Sequence, residues 1–345
     1  MRPSVPASYD ALLLVSFGGP EGPDDVMPFL ENVLRGRNVP RERMLEVAEH
    51  YHHFGGISPI NSQNRALIAA IEAELQAHGP RLPVYFGNRN WHPLLPDTLR
   101  QMRTDGVKKA IAFFTSAFSS YSGCRQYREN IIAAREAVGP DAPEIDKLRV
   151  FYNHPGYVEP LAGLVRDSLA KIPVERQAAA EVLFTAHSVP LSMSQNCDYV
   201  KQLRESSRLV AQLAQAPTWQ LVYQSRSGPP QQPWLEPDVG VAIRECHSRG
   251  VRDLVIVPIG FISDHMEVLF DLDVEAQAIC EELGLNMVRC PTIGTHPRFV
   301  QMIRELIEER MTDQPVRLAL GEFGPNHDVC PIDCCKYEPQ RPPPR

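Results

Sequence analysis

Three carboxylates, Glu267, Asp271 and Glu275, recur at a strict spacing of four in the stretch Val257–Glu275, which also carries His265. Carboxylates in such a row bind a hard cation or accept and pass protons. Far upstream, His187 follows an apolar run in Thr185-Ala186-His187-Ser188-Val189-Pro190. A neutral imidazole ligates a transition metal or takes a proton near neutral pH. A second donor set lies near the C-terminus, where Cys330, Cys334 and Cys335 fall within six residues. Thiolates favour soft metals, and both structural zinc and iron–sulfur centres take four ligands. A centre there needs one further ligand from elsewhere in the chain.

These residues need elements to hold them. The apolar run Leu254–Val257 reads as a buried strand that breaks at Pro258 and Gly260. A helix then begins, with Ser263 or Asp264 as its N-cap, since their side-chain oxygens satisfy free N–H groups of a first turn. Four-residue steps on an α-helix drift by about 40°, so the carboxylates form a slanting stripe; a π-helix would bring them closer to alignment, and such bulges favour functional sites. The competing view is a solvated acidic face, but Met266, Val268, Leu269, Phe270 and Leu272 leave little of this helix for water.

Along the rest of the chain, strands are expected at Ala11–Phe17, Leu82–Gly87, Lys109–Phe114, Leu148–Tyr152, Glu181–Ala186, Trp219–Gln224, Asp253–Ile259 and Asn286–Arg289. Helical patterns separate them, including Arg41–His53, Asn61–His78 and Pro297–Arg310. Alternation of this kind implies an α/β fold of parallel sheets covered by helices. The 345 residues suit two similar Rossmann-like domains split near Ile145–His154: 1–150, 151–311, and an extension 312–345 with the cysteines and a disordered Pro-rich tail. Gly18-Gly19-Pro20 after the first strand is too short for a GxGxxG dinucleotide fingerprint. A net charge of −7 argues against a nucleic-acid binder, whose surface is normally basic. No stretch is long enough to span a bilayer, and Ala11–Val15 reads as a strand, not a signal peptide. The expected location is the cytoplasm, with the eight cysteines mostly reduced.

Taken in order, the strand ends Ser16-Phe17-Gly18-Gly19-Pro20, Gly55-Gly56-Ile57-Ser58-Pro59, Ala186-His187-Ser188-Val189-Pro190 and Ser263-Asp264-His265-Met266-Glu267 resemble the ferrochelatases over nearly the whole chain. The loop Ser119–Asn130 and the tail cysteines resemble the actinobacterial type. This resemblance implies insertion of ferrous iron into coproporphyrin III in an interdomain cleft, as a step of haem synthesis. It implies His187 and Glu267 as the catalytic, metal-binding pair, Asp271 and Glu275 as an outer ladder, and His265 as a structural histidine. Ser58, Tyr127, Tyr51 and Phe17 fall on porphyrin-contacting positions, and Arg35 and Arg37 are candidates to answer propionates. Some coproporphyrin-type relatives carry Tyr where this chain has Phe17, so axial ligation from that face stays open. For the tail, the resemblance implies a 2Fe–2S cluster on Cys330, Cys334, Cys335 and one interior cysteine, for which Cys124 is the choice and Cys197 the reserve, and zinc or free thiols are the alternatives. Transient contact with other haem-pathway enzymes is also implied. The competing functions are protoporphyrin IX ferrochelatase, a cobalt or nickel chelatase of a sirohydrochlorin-type ring, and a haem or iron–sulfur sensor without turnover.

Overall fold

The computed structural model describes residues 8–36 and 39–337; Arg37 and the Pro-rich tail lie outside them. The chain forms two four-stranded, wholly parallel sheets. The first comprises β1 (Ala11–Ser16), β2 (Val84–Asn88), β3 (Lys109–Phe114) and β4 (Glu144–Lys147), in the order β2-β1-β3-β4. Its helices are α1 (Val26–Val33), α2 (Arg41–His53), α3 (Ile60–His78), α4 (Leu95–Thr104) and α5 (Gln126–Val138).

The second sheet repeats this order as β6-β5-β7-β8, from β5 (Glu181–His187), β6 (Thr218–Gln224), β7 (Asp253–Val257) and β8 (Asn286–Arg289). Around it run α6 (Pro155–Leu169), the short α7 (Val174–Gln177) and α8 (Leu191–Ser194), α9 (Tyr199–Ala214), α10 (Val239–Ser248), α11 (Met266–Val268), α12 (Gln277–Leu283) and α13 (Pro297–Met311). Each chain half visits one side of its first strand and then crosses to the other. That reversal opens a crevice at the carboxyl ends of β1 and β3, and of β5 and β7, where open α/β sheets bind ligands.

Alternation along β1 separates two cores. Leu12 and Leu14 face a central core, while Ala11, Leu13 and Val15 face an outer core under α4 and α5. The central core joins both halves: Leu12 and Phe113 of the first sheet share it with Phe184 and Val257 of the second, and with side chains of α3, α6, α9 and α13. Helix α13 packs against α3 as well as α6.

Two expectations change. The strand anticipated at Leu148–Tyr152 lies earlier, at Glu144–Lys147, and closes the first sheet. Leu148 still donates its N–H to Ala112 (2.9 Å), but the chain then dives into the central core, burying Val150, Phe151 and Tyr152. An apolar run fits a buried crossing segment as well as a strand, which is why composition misplaced it. The N-cap of the acidic helix is His265, not Ser263 or Asp264. Asp264 is engaged elsewhere: Arg289 holds its carboxylate at 2.7 Å and Gln63 holds its backbone.

Candidate functional site

β5 ends on His187 and delivers its ring to the second crevice. Opposite, the chain leaves β7 and turns at Gly260, whose N–H donates to the Thr185 carbonyl at 2.9 Å. A Cβ on Gly260 would come within 2.7 Å of Ala186, so only glycine permits this approach. Helix α11 then presents Glu267. Its Oε2 lies 3.6 Å from His187 Nε2, with the side chains 33% (His187) and 48% (Glu267) exposed.

Burial disfavours charge on both groups, yet their mutual attraction outweighs it. Against the burial effect, the Glu267 carboxylate raises the His187 pKa to about 9, and His187 lowers that of Glu267 to about 2. The other His187 nitrogen, Nδ1, contacts the Ser188 carbonyl. A carbonyl only accepts, so Nδ1 carries a proton and Nε2 is the nitrogen that offers a lone pair once its own proton leaves. Tyr199 donates its hydroxyl to the His187 carbonyl at 3.0 Å and steadies the strand end. His265 accepts the Glu267 N–H at Nδ1 (3.2 Å), and burial, with the nearby His187, lowers its pKa. A neutral ring committed to capping is a brace.

After α11 the helix widens into a π-helix over Leu269–Ala276. Its i→i+5 bonding brings residues four apart closer to alignment, so Glu267, Asp271 and Glu275 run as a row. Asp271 accepts hydrogen bonds from Ser225 and from Gln224 (3.2 Å). Burial, and then the neighbouring Glu267, raise the Asp271 pKa to about 7. Ser225 sits at φ 61°, a left-handed conformation uncommon outside glycine. Burial and Asp238 also raise the Glu275 pKa.

The first half supplies the facing wall. Phe17, at the end of β1, is 36% exposed and meets Phe29 edge-on. Tyr51 of α2 packs on Phe29, and its phenol is raised by burial and then by the Glu267 carboxylate, which places it within electrostatic reach of the His187–Glu267 pair. His50 stacks on Phe270 of the π-helix with ring centroids 3.7 Å apart. Ser58 and Tyr127 are more enclosed than their expected role suggests. Ser58 is buried against Gly19, and Tyr127 packs on Phe114 in the outer core beneath the Arg89 guanidinium. Sequence reasoning missed Gln63, which makes two reciprocal hydrogen bonds with the Asp264 backbone (2.9 and 3.2 Å), and also Tyr199 and Ser225. None carries a local signature; their partners lie 201, 12 and 46 positions away.

A separate cysteine site forms where the C-terminal segment docks beside the start of α5. Arg125 donates to the Ile332 and Cys334 carbonyls (2.9 and 3.1 Å). Cys334 and Cys335 sulfurs are 3.6 Å apart, and ligand atoms of His327, Cys330 and Cys334 lie within 4.8 Å of one another. A thiol hydrogen bond links buried Cys124 to Cys330, holding Cys330 well below and Cys124 well above the ordinary thiol value. Cys197 instead donates to the Met193 carbonyl (3.3 Å).

Two parallel sheets, with an imidazole–carboxylate pair at the switch point of one and an aromatic wall at that of the other, define a two-lobed α/β metal chelatase. A family model described as Ferrochelatase matches residues 9–311. The chain is 63% identical over 336 residues to a ferrochelatase of Rhodopirellula baltica, covering 97% of this chain and 95% of that one. It is 51% identical over 356 residues to a coproporphyrin III ferrochelatase of Streptomyces coelicolor, with the same coverages of 97% and 95%. Among solved structures, SirB from Bacillus subtilis with Fe³⁺ shares the fold at a TM-score of 0.53 and 13% identity, covering 89% of this chain and 97% of that one. The chain belongs to the ferrochelatase family. It is a metal chelatase acting on a porphyrin in haem synthesis.

Proposed function

We propose that the protein inserts Fe²⁺ into coproporphyrin III, releasing two protons, with His187 and Glu267 as the residues that hold the substrate metal and begin the proton transfer. The carrying observation is the 3.6 Å approach of His187 Nε2 and Glu267 Oε2 at the second switch point, with Tyr51 of the first half within electrostatic reach of Glu267. Imidazole and carboxylate together suit ferrous iron. As iron enters the ring, two pyrrole N–H protons must leave. We assign Glu267 as the first acceptor, and Asp271, with its pKa near 7, both takes up and releases a proton at neutral pH. Glu275 continues the row outward. Phe17 packs against the ring without ligating metal, while Tyr51 and Ser58 are the polar groups we assign to the porphyrin, and Tyr127 backs the wall.

Coproporphyrin III as substrate is supported by the names of several relatives near 50% identity. Arg89, stacked over Phe17 and Tyr127, adds a cation to the cleft wall suited to propionates. The test is anaerobic metallation followed by absorbance, with coproporphyrin III and protoporphyrin IX side by side. Higher kcat/KM on coproporphyrin III is expected, and a His187→Ala variant that metallates at the wild-type rate would sink the assignment.

We assign residues 1–150 and 151–311 to the two lobes, 312–345 to an extension, and the whole to the cytoplasm, consistent with eight unpaired cysteines. The extension's donor set suits a 2Fe–2S cluster: Cys330 and Cys334 lie together with His327, Cys335 is 3.6 Å from Cys334, Cys124 interacts with Cys330, and the buried Lys147 ammonium has no hydrogen-bond partner among the described residues. Such a cluster would supply a one-electron couple. Iron insertion is not a redox reaction, so no step of it needs that couple, and we assign the centre a structural or sensing role.

A further inference from the structure

Lys147 closes β4 at the edge of the first sheet, yet the residue is only 9% exposed and its ammonium has no hydrogen-bond partner among the described residues. Its neighbours are committed elsewhere. Asp146 points the other way, to Tyr9, Lys109 and Arg310, and the Arg149 guanidinium is held by Glu309. Lys147 and Cys124 line one small pocket of about 10 Å³, together with Phe113, Phe114, Phe151 and Arg149. A water there would satisfy N–H groups but bring no charge. A buried cation without an anion is strongly unfavourable, and among the described residues Cys124 and Cys330 lie close enough for Lys147 to act to lower the pKa values of both thiols.

We propose that Lys147 is the built-in counter-cation of the cysteine centre, compensating the negative charge that four thiolates bring to iron and easing its reduction. The inference rests on the cluster assigned above. Two ferric ions, two sulfides and four thiolates carry a net charge of −2, which becomes −3 when an external reductant adds one electron. A fixed positive charge beside the centre favours the more negative state. Lys147 touches neither porphyrin nor substrate iron; it is a positioning charge.

The test compares the wild-type protein with Lys147→Met and Lys147→Arg. In an anaerobic spectroelectrochemical titration of the cluster, Lys147→Met should lower the reduced-to-oxidised ratio at fixed potential by about tenfold, equivalent to about 59 mV for one electron. Lys147→Arg, which keeps the charge, should stay close to wild type. Equal potentials in wild type and Lys147→Met, both with intact clusters, would overturn the proposal. If wild-type protein shows no iron–sulfur absorption, the cluster assignment itself fails. The counter-cation is then read from Co²⁺ binding to the metal-free thiols, where Lys147→Met should bind about tenfold more weakly and equal affinity would refute it.

Discussion

Under the proposed assignment, a proton and the incoming metal compete for one nitrogen of His187. With its pKa raised to about 9 beside Glu267, Nε2 is protonated in the metal-free protein at neutral pH. Metal binding must expel that proton, so affinity should rise with pH up to about 9 and then level off. About one proton should be released per metal bound at pH 7. Calorimetry with Co²⁺ as a surrogate, in two buffers of different ionisation enthalpy, measures that proton directly; no difference between buffers would refute the scheme. In Glu267→Gln the imidazole loses its main support, so the proton count at pH 7 should fall, together with activity. The spacing of Glu267, Asp271 and Glu275 was readable because a helix converts spacing into direction, and His187 because strand ends are where side chains reach a crevice. Gln63 and Tyr199 were not readable. Each acts through a backbone group of a residue distant in sequence, and an amide or a phenol in a helix advertises nothing about its partner.

Among the elements, the active geometry depends on two strand ends held closer than side chains normally allow. Gly260 is the contact point. A Gly260→Ala substitution forces its Cβ to within 2.7 Å of Ala186 unless one strand end moves. We expect a stability loss of about 1–3 kcal/mol from overpacking. The rate should fall far more, on the order of a hundredfold, because His187 and Glu267 separate as the ends part. Measuring the melting temperature and metallation rate on one preparation tests this; a mutant with wild-type turnover would show the approach to be incidental. The repeated strand–helix alternation made both parallel sheets legible, including their number. What misled was Leu148–Tyr152, because burial sets the composition of a core-crossing segment as firmly as it sets that of a strand. The shift to π geometry follows from spacing only as a condition; nothing in Leu269–Ala276 compels it by composition.

Over the whole molecule, the two sheets share one core, and α13 locks them. Arg149 and Glu309 meet at 2.7 and 2.8 Å in a nearly dry setting, where Arg149 also reaches the Leu318 carbonyl of the extension. Glu309→Ala strands a buried guanidinium and should cost about 3–5 kcal/mol, seen as a lower calorimetric melting temperature, with the extension loosened as well. A mutant as stable as wild type would mean that water replaces the carboxylate. The two sheets were legible from the rhythm of elements, but the shared core was not, since it joins residues such as Leu14 and Phe184 that no local pattern connects. That common core carries a consequence for dissection. Each half, made alone, would turn to water the face carrying Leu12, Leu14 and Phe113, or the face carrying Val182, Phe184 and Val257. Neither is a detachable module: separately expressed halves should precipitate, and only co-production should return a folded molecule, as a complementing pair.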